Sequence, residues 1–246
     1  MLDSHATSAR IRCGAPSVAV FSIGAIEQHS IHLPLCTDWY QVREVSRRVA
    51  QELGALLVPA LPYSMSQCHG PAPGTVWLRP ETLALVVRDV VLSLRAQGIR
   101  RIVLINGHGG NFVLDPVIRE LNLAYSDLMV IRPPFEGGFN AVDLFEHGDV
   151  DSHAGEVETS LMLVIRPDLV KAKRLDHVPA VGREFFDYVF LDRWAPDGVT
   201  GIATAASAEK GRKALAVSAE RLVRTVRETF SALESLKSEC PEGGAG

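Results

Sequence analysis

The sequence predicts an α/β fold built on a mainly parallel sheet covered by helices. Ser17–Ile23 (SVAVFSI) and Arg101–Ile105 (RIVLI) are short, almost wholly apolar runs, the pattern of strands buried on both faces. Between and after them apolar residues recur at helical spacing, so strand-like and helix-like segments alternate along the chain.

In order, Ser17–Ile23 is the first expected strand. Trp39–Leu53 follows as an amphipathic helix, with Val42, Val45, Val49 and Leu53 on one face and Arg43, Arg47 and Arg48 between them. Ala55–Pro59 reads as a second strand. Pro80–Gln97 opens on Pro-Glu, stops before Gly98 and is apolar on one face, which are helix start and stop signals. Arg101–Ile105 is the third strand and runs straight into NGHGGN. Leu114–Tyr125 reads as a helix, Leu128–Ile131 as a strand, Glu156–Ile165 as a helix and Ala206–Leu236 as a long amphipathic helix across the sheet. Glu136–Asp151 and Asp176–Thr200 are left as loops. One domain is expected over residues 1–239, with 240–246 as a flexible C-terminal tail.

The bulk composition narrows the function. The 246 residues are 47% hydrophobic and 22% charged with a net charge of −4, an ordinary globular balance. No Lys/Arg stripe points to nucleic acid. No apolar run approaches the ~20 residues of a membrane helix, and the N-terminus lacks a secretory apolar stretch. Cys13, Cys36, Cys68 and Cys240 lie far apart, as free thiols of a reducing compartment do, so the protein is expected in the cytoplasm.

Three segments carry chemistry. Glu27, His29, His32 and Asp38 fall within twelve residues after the first strand. Glu27 and His29 are two apart and share a face of an extended segment. Asp38 precedes a helix, so an N-cap is its alternative reading. His32 reads as a packed or surface histidine. The second segment places His108 among glycines at a strand end, where Gly107, Gly109 and Gly110 permit close approach to a ligand. The third, Asp151–Ser160, offers His153, Glu156 and Glu158 at the start of a helix, where acids also suit the macrodipole. Ligands of parallel sheets collect at the carboxyl ends of strands, where two of these segments lie. Glu, His, Asp and His form a mixed oxygen and nitrogen set suited to zinc, manganese or ferrous iron. A serine hydrolase is disfavoured because no G-x-S-x-G elbow exists. NGHGGN is no dinucleotide fingerprint, because Phe112 stands where the third glycine would fall.

With these residues in view, the chain resembles the creatininase (creatinine amidohydrolase) family over roughly Val18 to Leu233. The matching pieces are IGAIEQHSIHLPLCTD, His69 to Thr75 with its PGT, RRIVLINGHGGN and HAGEVETSLML. The resemblance implies a three-layer α/β/α sandwich, two divalent metal ions per subunit and a ring-like homohexamer. By the same resemblance Glu27, Asp38 and His108 look like ligands of one ion, and His29 and Asp38 like ligands of the other, with Asp38 bridging. His153 looks like the catalytic histidine.

The chain departs from creatininase proper in two places. There a glutamate two residues after the histidine of the NGH motif completes the second metal; here that residue is Gly110. Glu158 is the preferred replacement and Glu156 its competitor. A tryptophan and an acid precede the catalytic histidine in creatininase; Asp149 and Ser152 stand at those places. Both departures point from creatinine towards the wider family, with its formamide deformylases, mycofactocin peptidase and cyclic keto-sugar hydrolases.

The expected activity is hydrolysis of an amide, cyclic amide or formamide C–N bond in a small molecule. Two divalent ions share a water and lower its pKa, and His153 shuttles a proton to the leaving nitrogen. Gly109 and Gly110 offer backbone amides to orient the substrate. His69, on a Gly/Pro-rich loop, is a candidate for the pocket wall, with a surface position as the alternative. Arg79, Trp77, Phe185, Phe186, Tyr188 and Trp194 are candidates for the pocket or subunit contacts, with core packing as the commoner fate of aromatics. Other readings of the same site are a peptidase, a cyclic-ketone hydrolase and a non-catalytic metal-binding protein.

Overall fold

A computed structural model describes residues 1–134, 142–181 and 187–239. The expected tail, Phe185, Phe186 and part of the Glu136–Asp151 loop lie outside them. The elements run α1 (Ser8–Gly14), β1 (Val18–Ile23), α2 (Thr37–Leu53), β2 (Leu56–Leu57), α3 (Pro80–Ala96), β3 (Arg101–Asn106), α4 (Leu114–Ala124), β4 (Met129–Ile131), α5 (Glu156–Ile165), β5 (Asp176–His177), β6 (Gly201–Ile202) and α6 (Ala208–Glu239).

Strands β2, β1, β3 and β4 form one parallel sheet in that order. β1 and β3 pair along their whole length, from Val18 opposite Arg101 to Ile23 opposite Asn106. Side chains alternate across a strand, so each central strand supplies both cores. Ala19, Phe21, Ile23, Ile102 and Leu104 pack against α3 and α4 through Leu83, Val87, Val91, Leu114 and Val117. Val20, Val103 and Ile105 face the other way, against Val42, Val45 and Val49 of α2, Val157 and Leu161 of α5, and Leu215 and Leu222 of α6. Both faces are covered, which is why these strands read as unbroken apolar runs. The result is the three-layer α/β/α sandwich.

The strand order places the functional site. From β1 the chain steps outward to β2; from β3 it steps outward to β4 on the other side. The order therefore reverses between β1 and β3, and a crevice opens beyond their carboxyl ends. The loops that leave these two strands carry Glu27, His29 and Asp38 on one side and His108 on the other.

Most expected boundaries shift by one to three residues. β2 keeps only Leu56–Leu57 of Ala55–Pro59, since Pro59 has no N–H to donate to a ladder. The expected loop from Asp176 begins with a two-residue strand, β5, paired antiparallel with β6; two residues leave no periodicity to read. Trp77 and Tyr188 are 44% and 77% exposed, so core packing is not their role. Arg79 is on the surface, 3.4 Å from Glu81. Among the described residues no helix is long and apolar enough to cross a membrane.

Candidate metal centre

The loop after β1 turns back on itself and buries its polar side chains. Glu27 is 1% and His29 1% exposed. Ile26 bridges to Val76, and Gln28 N–H donates to Thr75 Oγ1 at 3.1 Å, tying the segment to the PGT loop. Asp38 lies in the first turn of α2 but does not cap it: the N-cap residue is Cys36, with no side-chain capping bond. The Asp38 carboxylate points into the crevice instead, 2% exposed.

The NGHGGN loop is locked by its two asparagines. Asn106 Nδ2 donates to the His108 carbonyl at 2.9 Å, and Asn111 Nδ2 donates to Asn106 Oδ1 at 2.9 Å. Asn111 Oδ1 in turn accepts the Met65 N–H at 3.0 Å. Gly110 is the tightest point. A Cβ there would sit 2.5 Å from His108 Nε2 and 2.6 Å from the Met65 carbonyl, so the position holds glycine for want of space.

The hydrogen bonds fix which nitrogen of each histidine faces the crevice. His29 Nδ1 donates to the Glu27 carbonyl at 3.1 Å, which leaves Nε2 towards Asp38 Oδ1 at 3.1 Å and Glu158 Oε2 at 3.5 Å. His108 Nε2 donates to the Met65 carbonyl at 3.1 Å, leaving Nδ1 at 3.2 Å from both Glu27 Oε1 and Asp38 Oδ2. The two oxygens of Asp38 thus face two different histidines, one in each half of the centre.

Glu158 and Glu156 share the first turn of α5 and go separate ways. Glu158 Oε2 accepts the Ala154 N–H at 2.6 Å and faces His29. Ala154 takes a left-handed conformation (φ 52°) to present that N–H. Glu156 is buried among structural partners, taking Lys210 Nζ at 2.5 Å and the His147 N–H at 2.9 Å. Asp151 Oδ2 accepts the Val157 N–H at 2.7 Å and caps the helix turn. Burial raises the Asp151 carboxyl to about 8.

Burial and the opposing charges work against one another at the centre. Burial pushes the Glu27 and Asp38 carboxyls up, but the facing histidines hold both below the usual range. Burial pulls His29 and His108 down, yet the carboxylates win: His29 is raised well above its ordinary value and His108 to about 10. Burial lowers His69 to about 4 and, with His29 and His69 nearby, holds His153 well below its ordinary value. Burial keeps the Glu158 carboxyl raised against the pull of His29.

Glu27, Asp38, His69, His108, Gly109, Gly110, His153 and Glu158 all line one cavity of about 320 Å³. His29 lies beneath it, its ring 4.4 Å from that of His153. His69 is a wall residue, 3% exposed on a 3₁₀ turn, Gln67–His69, and not a surface histidine. His153 is held by paired backbone hydrogen bonds with Thr200 at 3.3 and 2.8 Å. His32 stays out of the centre, bonded to Thr159 Oγ1 at 2.9 Å. Sequence reasoning missed Gln28, which touches both His69 and His153, and the cavity-lining Asp187; Cys68, which the sequence offers as a cysteine without a supporting nucleophile pattern, also lines the cavity. Gln28 lies within a motif quoted for other residues, so its place beside them was the only signal.

The donor chemistry fits metal ions. Glu27 Oε2 and Asp38 Oδ2 are buried with no hydrogen-bond partner. Carboxylate oxygens and histidine nitrogens converge at 3.1 to 3.5 Å, contacts that protons on the imidazoles satisfy here and that metal ions between the groups would satisfy equally. Ligand atoms of Glu27, His29 and Asp38 lie within 4.8 Å of one another, as do those of His29, His153 and Glu158.

Known proteins share this architecture. The chain is 35% identical to the creatinine amidohydrolase of Pseudomonas putida over 90% of its own length and 93% of that protein's. It is 31% identical to a mycofactocin precursor peptide peptidase of Mycobacterium ulcerans, covering 85% and 84%. A solved manganese creatininase superposes with a TM-score of 0.79 at 32% identity, over 93% of this chain and 98% of that one. The family profile described as creatinine amidohydrolase matches residues 4–226, and the chain belongs to the creatininase family of hydrolases.

Proposed function

We propose that this hydrolase cuts amide-type C–N bonds of a small molecule at a centre of two divalent ions. The observation that carries the reading is the convergence of His29 Nε2 and His108 Nδ1 on the carboxylates of Glu27, Asp38 and Glu158 in a buried crevice. Glu27, Asp38 and His108 would hold one ion; His29, Asp38 and Glu158 would hold the other, with Asp38 shared. In this reading Gly110 leaves no gap, because Glu158 would take the second position from α5. The oxygen and nitrogen donors suit zinc, manganese or ferrous iron. When bound, two such ions supply an acidified water and polarise a carbonyl oxygen.

The chain's own groups supply the rest. His153 stands at the cavity wall, able to take a proton from the attacking water and pass it to the leaving nitrogen. Gly109 and Gly110 line the same cavity, where their backbone amides would orient the substrate. A cavity of about 320 Å³ suits a small molecule better than an extended peptide. The unpaired Cys13, Cys36 and Cys68 suit a reducing cytoplasm. A homohexamer, implied by the family, belongs to the same proposal.

The test is a screen of small amides, lactams and formamides with metal-loaded protein, run beside His153→Ala. We expect His153→Ala to keep its metal and lose turnover by about 10²–10⁴-fold. A variant that retains full turnover would remove His153 from the mechanism. A wild-type protein that loads metal but cleaves peptides alone would favour the peptidase reading.

A further inference from the structure

Gln28 lies between Glu27 and His29 in sequence, but its side chain is held in the wall beside His69 and His153. Its Oε1 accepts the Ser30 N–H at 2.9 Å, so the other end of the amide, Nε2, is the NH₂. Ser30 adopts a left-handed conformation (φ 57°) to close this turn. Gly198 leaves the room that this oxygen occupies: a Cβ there would lie 1.9 Å from Oε1. The Ser30 N–H therefore fixes the orientation of the amide.

Gln28 Nε2 lies 2.9 Å from His69 Nδ1. An amide nitrogen only donates, so His69 Nδ1 accepts and the ring proton sits on Nε2. That nitrogen faces the centre, 3.4 Å from Glu27 Oε1. His153 is turned the other way. Its Nε2 lies 2.8 Å from the backbone carbonyl of Gln28, which only accepts, so the proton is on Nε2 and points away from the centre. Its Nδ1, 3.8 Å from Glu27 Oε1, carries the lone pair inward. Gln28 Nε2 also lies 3.0 Å from His153 Nε2. An unprotonated nitrogen would set its lone pair against that of the closer carbonyl, so the Nε2 proton goes to the carbonyl, the approach of the Gln28 NH₂ to His153 is a contact of two donors, and the amide's hydrogen bond goes to His69.

We propose that Gln28 is a positioning residue that turns two like tautomers in opposite senses, so that His69 presents an N–H and His153 a lone pair to the centre. The inference rests on the hydrolase reading for its consequence: an amide needs a donor at its carbonyl oxygen and an acceptor for the proton of the attacking water, here side by side with ring centroids 4.5 Å apart. It also removes His69 from the metal ligands, although its ligand atom lies within 4.8 Å of those of Glu27 and His153.

Long-range ¹H–¹⁵N spectra of histidine-labelled, zinc-loaded protein read the tautomers directly, with His69→Gln and His153→Gln assigning the signals. We expect both rings protonated at Nε2. In Gln28→Glu the new acceptor should move the His69 proton to Nδ1 and leave His153, held by a backbone carbonyl, unchanged. Turnover should fall about 100-fold with two ions retained. Wild-type His69 protonated at Nδ1 overturns the proposal, whether or not Gln28→Glu folds; so does a His69 signal unmoved in Gln28→Glu or in Gln28→Met. Spectra as expected from a protein that turns over no amide would sink the hydrolase reading and leave the tautomers standing.

Discussion

Gly110→Ala tests how tightly the centre is built. The added Cβ would lie 2.5 Å from His108 Nε2 and 2.6 Å from the Met65 carbonyl, against an ordinary contact of 3.4 Å or more. About 0.9 Å of movement is needed, and the loop around it is pinned by Asn106 and Asn111. His108 Nε2 and the Met65 carbonyl are bonded at 3.1 Å, so relief of the clash drives them to roughly 4 Å and breaks the bond. That bond fixes the tautomer in which Nδ1 faces Glu27 and Asp38. Loss of such a partner costs about 10–100-fold in metal affinity, or about 1.4–2.7 kcal/mol. The assay is competition against a chromophoric chelator on folded protein. Gly110→Glu, the acid that the resemblance to creatininase implies at this place, carries the same Cβ and should also bind metal more weakly than wild type. An affinity within twofold of wild type in Gly110→Ala, or tighter binding in Gly110→Glu, would refute the reasoning.

Further outcomes follow from the same contacts. Glu158→Gln should leave about one ion per chain by elemental analysis, whereas Glu156→Gln should keep both and lose about 2 kcal/mol of stability in urea unfolding, since its carboxylate serves Lys210 and the His147 N–H. Unchanged metal in Glu158→Gln would return the second position to another donor. In metal-free protein the His108 pKa is raised to about 10, above its unfolded value of about 6.5. The stability this provides is complete below pH 6.5 and is lost as pH rises towards 10. Denaturation of chelator-treated protein should show that alkaline decline, and metal-free His108→Gln should show less of it; equal declines would contradict the assigned environment.

Much of the centre was legible because its chemistry is local. Glu27 and His29 sit two apart after a buried strand, and His108 sits among glycines after another, so strand ends and residue types together marked the crevice. The strand order explains why the two loops meet, and the apolar runs foretold both faces of the sheet. The choice between Glu158 and Glu156 was not legible: both lie in one helical turn, and Lys210, 54 residues away, claims one of them. Gln28 carries no charge and no ligand signature, so its role depends wholly on distances to His69 and His153. The helix Ser8–Gly14 was missed because it buries no residue and so leaves no periodic pattern. Gly110 read as a lost ligand from the sequence; the space around it shows a residue with no room for a side chain.

The central claim is a binuclear centre bridged by Asp38. The most direct measurement is metal content per chain by elemental analysis of protein purified without chelator, with Asp38→Ala beside the wild type. The account predicts about two divalent ions in the wild type and loss of both in a folded Asp38→Ala. A folded wild type without metal, or an Asp38→Ala variant that keeps both ions, would contradict it.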